Sequence, residues 1–279
     1  MFHPDHAALS ALQNTGIKII LGPRNEDLPS LAKDQTFANK WVQTNIIPYK
    51  STVRFRYLAM GNEVIPGDLS SHVLPAMKNV QKALRASNFS IRLTTSVASP
   101  VLGQSFPPSS SEFSEESNSV MTQIAQYLES KKNPLLCNFY PYFAYAKEPN
   151  SIRLDYAIFN SSQTMVKDGA FQYSNMFDAM MDSMYWALRK VGAPNVRVIA
   201  SETGWPSGGD RFATVDLAKT YNNNLVKRVK SGNGTPVKPG ERIEAYIFAL
   251  FNENLKPNGV EQNFGLFYPS MEPVYPIKF

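Results

Sequence analysis

The stretch Val198-Ile199-Ala200-Ser201-Glu202-Thr203-Gly204-Trp205-Pro206 decides the fold. Its apolar, partly β-branched start has the makeup of a short buried strand, and Gly204 and Pro206 stop regular structure just after the glutamate. A second stretch has the same form: Ala59-Met60-Gly61-Asn62-Glu63-Val64 closes an apolar run that begins at Val53. Each strand delivers one carboxylate at its carboxyl end.

Further runs of this kind lie at residues 17–21, 91–97, 135–140 and 243–251, which with 53–60 and 196–202 makes six visible strands. Between them run stripes at helical spacing, such as Val73, Met77, Val80 and Leu84, or Phe177, Met180, Met181, Met184, Tyr185 and Leu188. Strands alternating with amphipathic helices predict an α/β protein with a parallel sheet. The methionines are read as core, because a helix packing its apolar face on a sheet needs flexible apolar side chains and no cofactor. No linker interrupts 1–279, which is read as one barrel domain. The Ser/Pro/Glu-rich segment 104–118 and the insertion 142–175 both follow strands, where α/β barrels carry their binding loops.

Composition excludes several functions. A net charge of +5 is spread along the chain, and its densest group, Lys227, Arg228 and Lys230, is expected on a solvated helix face with no aromatic platform for nucleic acid. No run of eighteen apolar residues occurs, so no membrane span is expected. Cys137, the only cysteine, sits in an apolar run and reads as a buried small hydrophobe. His3, His6 and His72 lack metal-ligand spacing, and neither metal nor cofactor is expected. The triplets at Asn88, Asn160 and Asn233 match the N-glycosylation pattern of secreted proteins, while the residues after Met1 lack the basic and apolar regions of a signal peptide.

A carboxylate at the carboxyl end of a barrel strand points into the barrel mouth, and two of them are what a retaining glycosidase requires. A lone glutamate there would ordinarily cap the next helix or pair with a lysine; two in the same setting favour chemistry. Asn62, before Glu63, is placed to bind a sugar 2-hydroxyl, a contact that strengthens in an oxocarbenium-like transition state. Its alternative role is that of a turn residue.

Met60-Gly61-Asn62-Glu63-Val64 and Ser201-Glu202-Thr203-Gly204-Trp205-Pro206-Ser207 resemble the acid/base and nucleophile motifs of plant endo-β-1,3-glucanases, glycoside hydrolase family 17. Supporting similarity runs through Asn138-Phe139-Tyr140-Pro141-Tyr142-Phe143, Leu154-Asp155-Tyr156-Ala157, Gly234-Thr235-Pro236, Phe251-Asn252-Glu253-Asn254 and Phe264-Gly265-Leu266-Phe267. The resemblance implies a (β/α)8 TIM barrel that hydrolyses internal β-1,3-glucosidic bonds with retention, Glu63 as acid/base and Glu202 as nucleophile, about 5–5.5 Å apart. It implies an auxiliary ionic cluster of Glu253, Lys256 and Glu261. Asn138, Tyr140, Phe143 and Trp205 are expected to bind substrate, with Tyr142 and Tyr145 packing beneath. The implied partner is a β-1,3-glucan, and the implied setting is a monomer in the extracellular space or cell wall, with roles such as plant defence.

Against that pattern, Phe2-His3-Pro4-Asp5 resembles the end of the family's second strand, so the first strand, first helix and most of the second strand are expected to be missing. Open sheet edges would then lower stability. The rival reading is a non-catalytic or weakly active β-glucan-binding protein.

Overall fold

The structure, a computed structural model, describes residues 1–279. Its main sheet contains β1 (Lys18–Leu21), β2 (Arg54–Asn62), β3 (Arg92–Ala98), β4 (Leu135–Asn138), β5 (Val198–Thr203) and β6 (Ala245–Ile247), hydrogen-bonded in that order. The pairs β1/β2, β2/β3 and β5/β6 are parallel. Parallel neighbours in chain order require a crossover at each step, and the intervening helices supply it. All six strands fall where the sequence places them, although the last is shorter than its apolar run. After Ile247 the chain leaves the ladder: Ala249 N–H donates to Phe264 O and Leu250 O accepts from Phe267 N–H, so residues 249–252 pair with 264–267 instead.

The contacts gather into two compact units. The first comprises Met1–Gly103, Phe113–Leu136 and Leu188–Arg197, and the second comprises Gln104–Glu112, Cys137–Ala187 and Val198–Phe279. β4 gives its first two residues to the first unit and its last two to the second.

In the first unit, α1 (His6–Ala11) precedes β1 and α5 (Glu115–Lys131) precedes β4, α4 (Ser70–Ala86) packs on β2 and β3, and α2 (Leu28–Lys33) and α3 (Gln35–Asn45) pack against α4. The stripe foreseen on α4 is the buried one, since Val73, Met77, Val80 and Leu84 are all within 2 % of full burial. The Asn79 amide donates to Leu31 O and Ala32 O, satisfying carbonyls that the end of α2 leaves open, and Asp34 caps α3 at Thr36 N. On the outer edge of β1, the Met1 amino group donates to Ile20 O at 2.9 Å and Met1 O accepts from Gly22 N–H at 3.1 Å, the alternation of a parallel ladder. Ile17 and Phe2 remain half-exposed.

In the second unit, the short helices α6 (Pro141–Lys147) and α7 (Leu154–Ala157) follow β4, and α8 (Met176–Lys190) and α9 (Val215–Lys230) carry the core. Phe177, Met181, Met184 and Tyr185 are buried as the stripe requires, while Met180 is only partly so. Cys137 is buried, and burial pushes its thiol well above the usual range. Segments 104–112 and 142–175 meet here: Ser109 N–H donates to Asp168 at 2.7 Å, pinning one loop to the hairpin Val166–Asp168/Phe171–Tyr173 carried by the other.

The solvated face expected of Lys227, Arg228 and Lys230 holds for the two lysines only. Arg228 is turned inward onto Asp178 at 2.9 Å, with a side chain 17 % exposed, and also donates to Asn233 O and Gly234 O. Helix α9 presents that position toward α8, where the caps of α8 leave an acid needing a cation: Asn175 accepts from Asp178 N–H and donates to the Asp178 carboxylate. Removing one partner of a buried pair costs about 3–5 kcal/mol, whereas an exposed lysine changes stability by less than about 0.5 kcal/mol. Arg228→Ala is therefore expected to lower the urea midpoint sharply and Lys227→Ala to leave it unchanged.

One turn along α8, Asp182 is fully buried and accepts from Val237 N–H at 2.9 Å. Burial pushes its carboxyl up to about 7, against the hydrogen bond from Val237 N–H that favours the charged form. A carboxyl with a raised folded pKa takes up a proton on folding between its unfolded and folded values, so its contribution falls as pH rises from about 4 to 7 and is then constant. Asn at this position does not titrate. The melting temperature of Asp182→Asn relative to the parent should rise between pH 4.5 and 8, a difference that parallel thermal scans in matched buffers would measure.

Candidate active site

In the second unit, Glu202 sits near the carboxyl end of β5, half-buried, with its carbonyl accepting from Phe139 N–H at 2.9 Å. Its Oε2 accepts a hydrogen bond from the Tyr140 hydroxyl at 2.7 Å. Tyr140 follows β4, so two adjacent strand ends fix the carboxylate, one through backbone and one through side chain. A hydrogen bond donated to a carboxylate favours its charged form. Residue 201 is tied in the same way: Ser201 Oγ donates to Asn138 Oδ1 at 2.8 Å.

Behind the strand, Thr203 Oγ1 and the buried Tyr221 hydroxyl of α9 share a hydrogen bond, and Thr203 O accepts from Phe248 N–H at 2.9 Å. Gly204 is required by close packing, since a Cβ there would lie 2.3 Å from Phe248 O. Trp205 is fully buried, its indole N–H donating to Phe212 O at 2.8 Å and its ring against Tyr142, Tyr145 and Tyr221. The sequence reading has Trp205 touching substrate; the structure corrects this to a packing role, because both the ring faces and the indole N–H are committed inside. Asn138 is corrected likewise, being 2 % exposed and engaged with Ser201. Tyr142 and Tyr145 pack beneath, as expected. Phe143 is 43 % exposed, with edge contacts to Tyr140 and Tyr142.

Glu253, Lys256 and Glu261 come together as an ionic cluster. Lys256 Nζ lies 2.6 Å from Glu253 Oε2 and 3.5 Å from Glu261 Oε2. Burial would lower the lysine, but the two carboxylates outweigh it and hold its pKa above the usual value. Gln262 folds back across this segment, its side-chain amide donating to Lys256 O and its backbone carbonyl accepting from Glu253 N–H. Sequence reasoning missed the two rings that connect this cluster to Glu202. Lys256 Nζ lies 5.0 Å from the Phe248 ring centre, and Phe248 and Phe264 both make edge contacts with Tyr140. Phe264 opens the run Phe264-Gly265-Leu266-Phe267, but nothing in its spacing marks it as a ring packed against Tyr140.

In the first unit, Glu63 follows β2, is exposed, and has φ +56°. A side chain in this left-handed region costs roughly 1 kcal/mol or more and is retained where surrounding structure over-determines it. Here the Glu63 N–H donates to Ser96 O at 2.9 Å, and the preceding Asn62 is clamped by Asn25, which accepts from Asn62 N–H and donates to Asn62 O, both at 3.0 Å. The register between β2 and β3 shifts between Ala59 and Asn62, which re-aims the strand end. Gly61, at φ +84°, permits the turn because a Cβ there would meet Val64 at 2.9 Å. No group of three His, Cys, Asp or Glu side chains is placed to hold a metal ion.

A family model for glycosyl hydrolases family 17 matches residues 1–279. A glucan endo-1,3-beta-glucosidase of Vitis vinifera is 46 % identical over 286 residues, spanning 100 % of this chain and 82 % of the relative. Lichenase-2 of Hordeum vulgare is 46 % identical over 280 residues, spanning 100 % of this chain and 88 % of the relative. Among solved structures, one of two plant beta-glucan endohydrolases with distinct substrate specificities matches with a TM-score of 0.95 at 46 % identity, covering 100 % of this chain and 90 % of that one.

The packing role of Trp205 separates from a substrate-binding role by measurement. Trp205→Ala should cost about 3–5 kcal/mol in a urea melt followed by circular dichroism. A ring that only stacked on ligand would leave the melt unchanged.

Proposed function

The chain belongs to glycosyl hydrolase family 17 and is a glycoside hydrolase with a (β/α) barrel-type parallel sheet, and from that premise we propose that it cleaves internal bonds of a β-1,3-glucan with retention of configuration. Glu202 is the nucleophile: ionised under the Tyr140 hydroxyl, it attacks the anomeric carbon and forms a glycosyl ester. Glu63 is the acid/base, giving a proton to the leaving oxygen and then taking one from the water that hydrolyses the ester. The 2.7 Å hydrogen bond from Tyr140 to Glu202 carries this assignment, because it orients one strand-end carboxylate through a donated hydrogen.

Asn62 binds the 2-hydroxyl, and Phe143 offers its exposed ring to the apolar face of a glucose unit. The Glu253–Lys256–Glu261 cluster fixes the field and the packing around Phe248 and Tyr140. The enzyme works as a monomer in the extracellular space or cell wall; no helix is long and apolar enough to cross a membrane. Mixed-linkage β-1,3-1,4-glucan is the second substrate reading, favoured by the equal identity to Lichenase-2.

Reducing ends released from laminarin and from lichenan decide the linkage, and turnover of neither, with retention on insoluble glucan, would leave a binding protein. Proton NMR of the first product should show the β-anomer. Glu202→Ala and Glu63→Ala should each lower turnover by about 10²-fold or more. Azide should then yield an α-glycosyl azide from Glu202→Ala and, with an activated aryl leaving group, a β-glycosyl azide from Glu63→Ala. Identical products from both variants would reverse or remove the assigned roles.

A further inference from the structure

The three Asn-x-Ser/Thr triplets do not share one environment, and we propose that Asn88-Phe89-Ser90 and Asn160-Ser161-Ser162 are sites of N-linked glycosylation, while folding withholds Asn233-Gly234-Thr235. The three triplets offer a transferase the same groups, an amide and a hydroxyl two residues on. They differ in what the folded chain does with those groups.

Asn88 is exposed just beyond α4, at φ +51°, and Ser90 is exposed with it. Its backbone turns out of the helix on hydrogen bonds from Asn88 N–H to Arg85 O and from Phe89 N–H to Leu84 O, so the side chain has left the packed face of α4. Because β2 and β3 are parallel, Asn88, which precedes the amino end of β3, lies at the opposite end of that sheet from Glu63. A glycan there leaves the carboxyl ends of those strands uncovered.

Asn160 follows α7 (Leu154–Ala157) and is exposed, as is Ser162. The neighbouring Phe159, at φ +58°, turns its ring inward onto Phe177 and Tyr221. Ile158 O is held by the Asn224 amide. Asn160 N–H donates to Asp155 O at 2.7 Å, so the backbone is anchored as far as Asn160, while the side chains of Asn160 and Ser162 face solvent.

The third triplet is bound into the fold. Asn233 O and Gly234 O both accept from the Arg228 guanidinium, at 2.8 and 2.7 Å. A Cβ on Gly234 would fall 1.7 Å from Lys238 O, and Thr235 is only 2 % exposed. Once this loop has closed, its hydroxyl cannot be presented with the amide, so folding competes with transfer at Asn233 and not at the other two sites.

In the transfer, the asparagine Nδ2 forms a bond to the anomeric carbon of an oligosaccharide carried on a lipid diphosphate. The bond from that carbon to the diphosphate oxygen breaks, the lipid diphosphate leaves with the electron pair, and the amide proton passes to a base of the transferase. The chain should be expressed behind a cleavable secretion leader in a eukaryotic host and recovered from the medium. Peptide mass mapping before and after enzymatic glycan release, which converts the occupied asparagine to aspartate, reads each site. Most molecules should carry glycan at Asn88 and Asn160, with the Asn233 peptide largely unmodified. Asn88→Gln and Asn160→Gln should each remove one glycan. Bare Asn88 and Asn160 in the secreted protein would overturn the proposal, as would occupancy at Asn233 equal to theirs. The readout is mass, so it is independent of glucan cleavage.

Discussion

A carboxylate that is to attack carbon must be charged, still and only partly wet, and the contacts around Glu202 in the second unit suit the nucleophile role proposed for it. The Tyr140 hydroxyl supplies the hydrogen bond that favours the charge, and the ends of β4 and β5 supply immobility through Phe139 N–H and the Ser201–Asn138 bond. Everything beneath is packing that keeps those strand ends from moving. Trp205 and Tyr221 fill the space behind β5, and Gly204 exists because Phe248 must come within reach of Thr203. A single hydrogen bond to a charged group contributes about 1.5–3 kcal/mol, so its precision rests on this support.

The second carboxylate is held by a different means. Glu63 is exposed and takes its direction from backbone: a register shift in β2, a glycine at positive φ before it, and its own left-handed φ, all locked by Asn25 and Ser96. An acid/base must exchange protons with solvent between steps, and exposure allows that. The nucleophile is kept by side-chain contacts and the acid/base by backbone geometry, which fits the separate roles proposed for them.

Charge buried away from both glutamates does structural work. Asp178 and Arg228 tie α8 to α9 and, through Asn233 and Gly234, close the loop that withholds one glycosylation triplet. Asp182, one turn on, has no such cation, and burial shifts it toward the protonated form. The contacts of α8 with α9 and with the loop that follows it thus set stability, its dependence on pH and the exposure of a modification site.

The sequence by itself determined the alternating α/β order, the six strands, the helix stripes and the two strand-end glutamates, because each is written in local periodicity or in a short motif. It also placed Glu253, Lys256 and Glu261, since motif similarity carries ion partners that lie close along the chain. Burial it could not assign: Trp205 stands three residues after Glu202 and Asn138 closes β4, yet both face inward, and Arg228 sits among exposed lysines yet pairs inside. Which way a side chain points is decided by what packs against it, and those neighbours come from distant segments: Phe212 and Tyr221 for Trp205, Asp178 for Arg228. Only the tertiary structure brings Phe248 and Phe264 between Lys256 and Tyr140, because ring contacts leave no spacing rule in the sequence.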